Sequence, residues 1–231
     1  MHPQSNYAYY RYFPFAIFML FIGFEEIVHF AADRGLLTTN ITTFYYLYPF
    51  KVLIVAYLLF RYRDKYNELD FNDLCNLPVT IAVTIAGLLA FVLWINLDMT
   101  FSLSPTPQDF NPTHLTGGWV RVFMTASRVC GAVLVVPLME ELFWRSFLIR
   151  YIIKKNIQSV PLALFTWPSF LLSVLLFGTE HNFILAGMMA GTFYNITLYK
   201  TRSIAQCVLA HAVTNLALAI YVLLTGKWYF W

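Results

Sequence analysis

An all-α membrane protein with about seven transmembrane helices is the fold class this sequence predicts. Three observations predict it. Hydrophobic residues fill 59% of the 231 positions and charged residues only 12%, about half the charged share of a soluble domain. Apolar runs long enough to cross a bilayer recur along the chain. Lysine and arginine gather in alternate connections between those runs.

The runs lie at 12–32, 41–60, 79–97, 119–149, 161–181, 183–199 and 204–224. No small-residue cleavage site follows the first, so it reads as a retained helix and not a signal peptide. Connections are short apart from Arg61–Pro78 and Asp98–Gly118, and Pro105, Pro107 and Pro112 mark the second as a loop. Residues 1–118 read as N-terminal helices and 119–231 as core helices of one integral membrane unit. No internal repeat appears, which argues against a transporter. Cys75, Cys130 and Cys207 stand apart with no C-x-x-C pair, so neither a disulfide framework nor a thiolate zinc site is indicated. The net charge of +3 is small, and nucleic acid is not an expected partner.

Placing the N-terminus in the cytoplasm puts Arg11, the Arg61/Arg63/Lys65 cluster, Arg150/Lys154/Lys155 and Lys200/Arg202 on the inside. The opposite side then keeps Arg34 and Lys227 in its loops, with the C-terminus outside. An integral membrane location is expected, with membrane lipids as neighbours.

Several charges lie within the spans. Glu25, Glu26 and His29 sit in the first and Lys51 in the second, at similar depth. An ion pair between helices accounts for them, since intramembrane charges pair. Glu26-x-x-His29 is alternatively half of a metal site of the kind built into helical bundles. Arg121 and Arg128 share a face, Arg121 snorkelling to the interface and Arg128 deep enough to pair internally or to meet an anionic group of a substrate. Tyr7, Tyr9, Tyr10, Tyr12, Trp228, Tyr229 and Trp231 read as interface anchors.

The chemistry concentrates in Val136-Pro137-Leu138-Met139-Glu140-Glu141-Leu142-Phe143-Trp144-Arg145. Glu141 and Arg145 are four apart, acid first, the favourable order for an ion pair on one helix face. Glu140 is turned about 100° away from Glu141, so one arginine does not serve both. An unpaired carboxylate in an apolar site is suited to act as a general base. Two further polar pairs recur at the same spacing, Phe177 with His181 and His211 with Asn215. Glu140 lies about 15 Å from the interface marked by Arg150, and His211 and Asn215 reach comparable depth counted from Ser203. His181 joins them if its helix starts at Pro168, which puts it about 20 Å in. The four would then share a mid-membrane cavity open to the cytoplasm.

Glu140-Glu141-x-x-x-Arg145, Phe177-x-x-x-His181 and His211-x-x-x-Asn215, in that order, resemble the three motifs of the CPBP intramembrane proteases, the type II CAAX prenyl endopeptidases and their bacterial relatives. Motifs and interposed spans cover 119–224. Size and layout are similar to the bacterial CAAX prenyl protease-related subgroup that accompanies exosortase systems. The resemblance implies an endopeptidase acting on a hydrophobic or lipid-anchored peptide. Glu140 would activate water with help from His181, and His211 and Asn215 would donate to the oxyanion. Glu141, Arg145 and Phe177 would shape the site or hold the substrate. No cofactor is expected; the alternative is zinc on Glu140, His181 and His211, a His₂Glu set. The non-enzymatic alternative is a membrane chaperone or bacteriocin-immunity protein of the same fold.

Overall fold

The computed structural model describes residues 3–38, 41–97 and 110–231. Most of the expected loop at Asp98–Gly118, Pro105 and Pro107 included, lies outside the described residues. The regular elements are helical: α1 (Pro3–Asp33), α2 (Ile41–Arg61), α3 (Leu77–Trp94), α4 (Gly118–Ile153), α5 (Trp167–Thr179), α6 (Ile184–Thr201) and α7 (Ile204–Thr225), with short 3₁₀ turns between some of them.

Polarity runs opposite to that of a soluble protein. Leu20, Ile27, Phe50, Leu53 and Phe60 are exposed on the outside, while Lys51, Glu140, Glu141, Arg145 and His211 are buried. That is the arrangement lipid demands, where a charge is tolerated only facing the bundle interior. Among the described residues, five helices, α1 to α4 and α7, are long and apolar enough to cross a membrane. Seven helices are present there, but seven full spans are not confirmed. α5 has 13 residues, about 20 Å of helix against a hydrocarbon core of about 30 Å, and α6 is not among the five. A turn at 180–183 joins the two and lines a cavity, the one setting in which irregular backbone is stable at membrane depth.

The break expected at Pro168 is present. Thr166 caps α5, accepting a hydrogen bond from Ser169 N, and Pro168 lies in the first turn, where its missing N–H costs nothing.

Small residues set the helix contacts, as is usual where lipid removes the hydrophobic drive for association. α3 meets α7 at Gly87, where an added Cβ would lie 2.6 Å from the Ala210 carbonyl. Thr214 closes the same contact by donating to Gly87 O at 2.9 Å.

At the other end of the bundle, Arg11 pairs with Glu68 at 2.6 Å. Arg150 approaches the same carboxylate at 3.4 Å, and Ser146 donates to it. This ties α1 and the connection after α2 to α4. Arg11, Lys65 and Arg150 therefore lie at one end, as the charge pattern required.

Candidate active site

α4 carries the site because it is an irregular helix. π-helical turns at Gly131–Val135 and Leu142–Leu148 flank the α-helical Val136–Glu141, and such turns often mark functional positions. Pro137 has no N–H to offer the preceding turn. Five residues back, the Ala132 carbonyl is instead taken by Asn215, whose Nδ2 donates at 2.8 Å. A motif residue of α7 thus completes the backbone of the helix that bears Glu140.

Glu141 and Arg145 form the ion pair their spacing predicts. Arg145 Nε lies 3.2 Å from Glu141 Oε2, with both side chains at most 1% exposed. Nη1 donates to Oε1 at 3.3 Å, and Nη2 to the Gly191 carbonyl at 3.3 Å. The guanidinium also lies over the Phe177 ring, 4.5 Å from its centroid. Glu140 is 5% exposed and its Oε2 has no hydrogen-bond partner among the described residues. One carboxylate is neutralised and the other is left free.

The histidines are held by their Nδ1 atoms. His181 Nδ1 lies 2.8 Å from the Phe177 carbonyl. A carbonyl only accepts, so Nδ1 carries the proton and a neutral His181 has a bare Nε2. His211 Nδ1 lies 2.9 Å from Glu141 Oε1, which fixes the same tautomer, and Tyr194 stacks on its ring at 4.6 Å. The expected oxyanion-donor role of His211 is thereby narrowed. Neutral His211 presents a lone pair at Nε2 and donates there only as imidazolium.

Glu140, Phe177, His181, His211 and Asn215 line one cavity of about 430 Å³. Glu141 and Arg145 stand behind its wall. The lining continues to Glu25, Trp94, Asn182 and the C-terminal Tyr229 to Trp231, the end opposite the lysine- and arginine-rich connections. Tyr229 and Trp231, expected as interface anchors, belong to the cavity wall. The cause is Gly226 in the left-handed region, which ends α7 and turns the terminal residues back.

Lys51 pairs with Glu25 at 3.0 Å, the ion-pair reading of those charges. His29 packs on Phe44 at 4.1 Å between ring centroids. Arg121 donates to the Leu115 carbonyl at 3.1 Å. The same geometry bears on zinc. Histidines that donate Nδ1–H and keep Nε2 bare suit a metal. However, among the described residues no three His, Cys, Asp or Glu side chains are gathered to hold one. Glu140, His181 and His211 as placed do not fit, and no step is routed through a metal.

Sequence reasoning assigned nothing to Glu180, yet it lines the cavity and its Oε2 accepts from Trp144 Nε1 at 3.1 Å. Its signal was a carboxylate closing an apolar run beside His181. Helical i, i+4 spacing from Phe177 reaches His181 and passes over Glu180, one residue earlier.

Residues 115–217 match the family model of the type II CAAX prenyl endopeptidases, Rce1-like. That stretch is similar to this family. No curated protein and no solved structure matches the chain. All seven motif residues fall within that stretch, which is similar to a protease family and here sits in a bundle with helices long and apolar enough to span a membrane. α1 to α3 lie before it and contribute Glu25, Lys51 and Trp94 to the cavity wall.

Proposed function

We propose that the protein is an intramembrane endopeptidase that hydrolyses a peptide bond of a hydrophobic or lipid-anchored peptide with water activated by Glu140. The observation that carries this reading is the free carboxylate of Glu140, buried in a cavity wall shared with two histidines and an asparagine. Leaving a buried carboxylate without a partner costs several kcal/mol, and a protein that only bound peptides would have no use for it. That weighs against the chaperone and immunity readings.

In the mechanism, Glu140 takes a proton from water, and the bare Nε2 of His181 accepts a hydrogen bond that orients it. The resulting hydroxide adds to the scissile carbonyl carbon, and the carbonyl oxygen becomes an oxyanion. Asn215 has one amide N–H left after Ala132 and donates it to that oxygen, a contribution worth most in a dry site. Glu140 then returns its proton to the leaving nitrogen as the oxyanion collapses to a carbonyl and the C–N bond breaks, releasing the amine and the new carboxyl. Glu141 and Arg145 hold His211 in place.

Orientation follows from the charge distribution. With N-terminus inside and C-terminus outside, in a bacterial inner membrane, the cavity opens on the non-cytoplasmic side. A peptide anchored there, such as a membrane-retained sorting signal, is the substrate we favour.

The test is Glu140→Gln in full-length protein, assayed with internally quenched hydrophobic peptides. Cleavage should fall by about 10²–10⁴-fold while helix content and elution volume stay unchanged. Full activity in that variant would remove Glu140 from the reaction.

A further inference from the structure

One cation in the cavity wall is not used by this mechanism. Lys51 is neutralised by Glu25, and Arg145 by Glu141. Arg128 has no ion pair with any described carboxylate, and its buried Nε has no hydrogen-bond partner. Its guanidinium lies over the Tyr48 ring, 4.5 Å from the centroid. Stacking of that kind holds the plane in place; the guanidinium also interacts with the Tyr48 hydroxyl, while its Nε keeps no hydrogen-bond partner. Arg128 lines the main cavity and also a second one of about 170 Å³, so it stands where the two meet. Glu26 borders both cavities as well, but is exposed and makes no ion pair with Arg128.

Position on the helix gives this cation a register. Arg128, Ala132, Val136 and Glu140 follow one another at four-residue spacing, and all four line the cavity. They form one stripe of α4, with a charge at each end and a small and a medium apolar side chain between. The twelve residues from Arg128 to Glu140 span about 18 Å at the helical rise. An extended peptide covers that distance in about five residues.

We propose that Arg128 is a specificity subsite that binds a carboxylate of the peptide substrate about five residues from the scissile bond. The planar fork of the guanidinium matches a carboxylate through two parallel hydrogen bonds. Ala132 and Val136 leave a smooth floor for apolar residues in between. The proposal rests on Glu140 as the water-activating group only for the distance; the carboxylate subsite itself does not require cleavage.

Binding is therefore measured apart from catalysis. Full-length Glu140→Gln protein in detergent is titrated with fluorescent, amidated Leu/Ala peptides carrying a single Asp or Asn. Asp peptides should bind about 10-fold or more tighter than their Asn twins, the range of a charge-assisted hydrogen bond. Arg128→Gln should abolish that difference and leave Asn peptides unaffected. Arg128→Lys keeps the charge, loses the fork and should reduce the preference, which carries the test if the Gln variant fails to fold. In the wild-type chain the cut should fall about five residues from the Asp. Replacing the Asp with a free C-terminal carboxylate at the same distance tells a chain terminus from a side chain, and either one binding through Arg128 supports the subsite. An Asp preference that survives Arg128→Gln in folded protein overturns it. So does an Arg128-dependent affinity for phosphatidylglycerol with no Asp preference, which would assign the cation to lipid. Asp-dependent binding without any cleavage would leave the subsite standing and sink the protease reading.

Discussion

His211 Nδ1 lies 2.9 Å from Glu141 Oε1, so the second carboxylate of the Glu140–Glu141 pair positions a histidine of a different helix. The same carboxylate carries Arg145. Glu141→Gln keeps an oxygen for His211 but leaves Arg145 without a counter-charge. Breaking one side of a buried pair costs about 3–5 kcal/mol. Lower yield and earlier thermal unfolding should therefore exceed any specific loss of cleavage, the reverse of Glu140→Gln. A Glu141→Gln protein as stable as wild type, yet inactive, would give Glu141 a direct part in the chemistry.

Asn215 is predicted to do two jobs that can be separated. Asn215→Ala strands the Ala132 carbonyl, costing about 1–3 kcal/mol of stability, and removes an oxyanion donor, costing about 10²–10³ in kcat. Pro137→Ala returns an N–H to the helix beside Ala132. In that background the stability cost of Asn215→Ala should shrink while the kcat loss remains. Recovery of kcat together with stability would make Asn215 purely structural.

A metal would show itself in the histidine variants. The glutamate–water mechanism predicts less than one zinc per purified chain and activity that resists tight chelators. One tightly held zinc, lost with activity in both His181→Ala and His211→Ala, would replace that mechanism with a metalloprotease.

Acid should loosen the end of the bundle that carries Arg11. Burial by itself would raise the Glu68 carboxyl, but hydrogen bonds and charge from Arg11, helped by Ser146, hold it below its usual 4.5. A depressed carboxyl contributes stability that is fully present above the unfolded value and is lost as pH falls through the lower folded value. Thermal stability in detergent should be insensitive to Glu68 protonation between pH 7 and 5 and decline on acidification below about 4.5. Glu68→Gln should be less stable at pH 7 and should lack that acid-dependent step. An unchanged acid profile in Glu68→Gln would assign the step to other groups.

Topology is open to direct labelling in a background without Cys75, Cys130 and Cys207. Arg63→Cys and Lys155→Cys should react with an impermeant thiol reagent from the cytoplasmic side, and Arg34→Cys and Lys227→Cys from the other. Finding Arg63→Cys and Lys155→Cys on opposite sides would overturn the orientation, and with it the side from which substrate enters.

The resolved site shows which parts of it were legible. Glu141–Arg145 and Lys51–Glu25 could be read because local helical spacing, or equal depth in an apolar medium, leaves few other partners for a charge. The start of α5 could be read because a proline acts within a few residues. The His211–Glu141 contact could not, since it depends on how α7 is rotated against α4. Nor could the bond from Asn215 to Ala132, which exists because a proline in one helix frees a carbonyl that another helix happens to face.

By itself, the sequence determined the fold class, the helix order, the gathering of basic residues at one end and the identity of the ionisable motif residues. These follow from hydropathy and periodicity, which act along the chain. Tertiary structure decided that α5 stops short of a full crossing, that the cavity lining reaches the end away from the basic connections, and that Glu180 and Arg128 join its wall. The physical reason is that helix rotation, crossing and the fold-back at Gly226 are fixed by packing between residues distant in sequence, and no local pattern encodes which faces will meet.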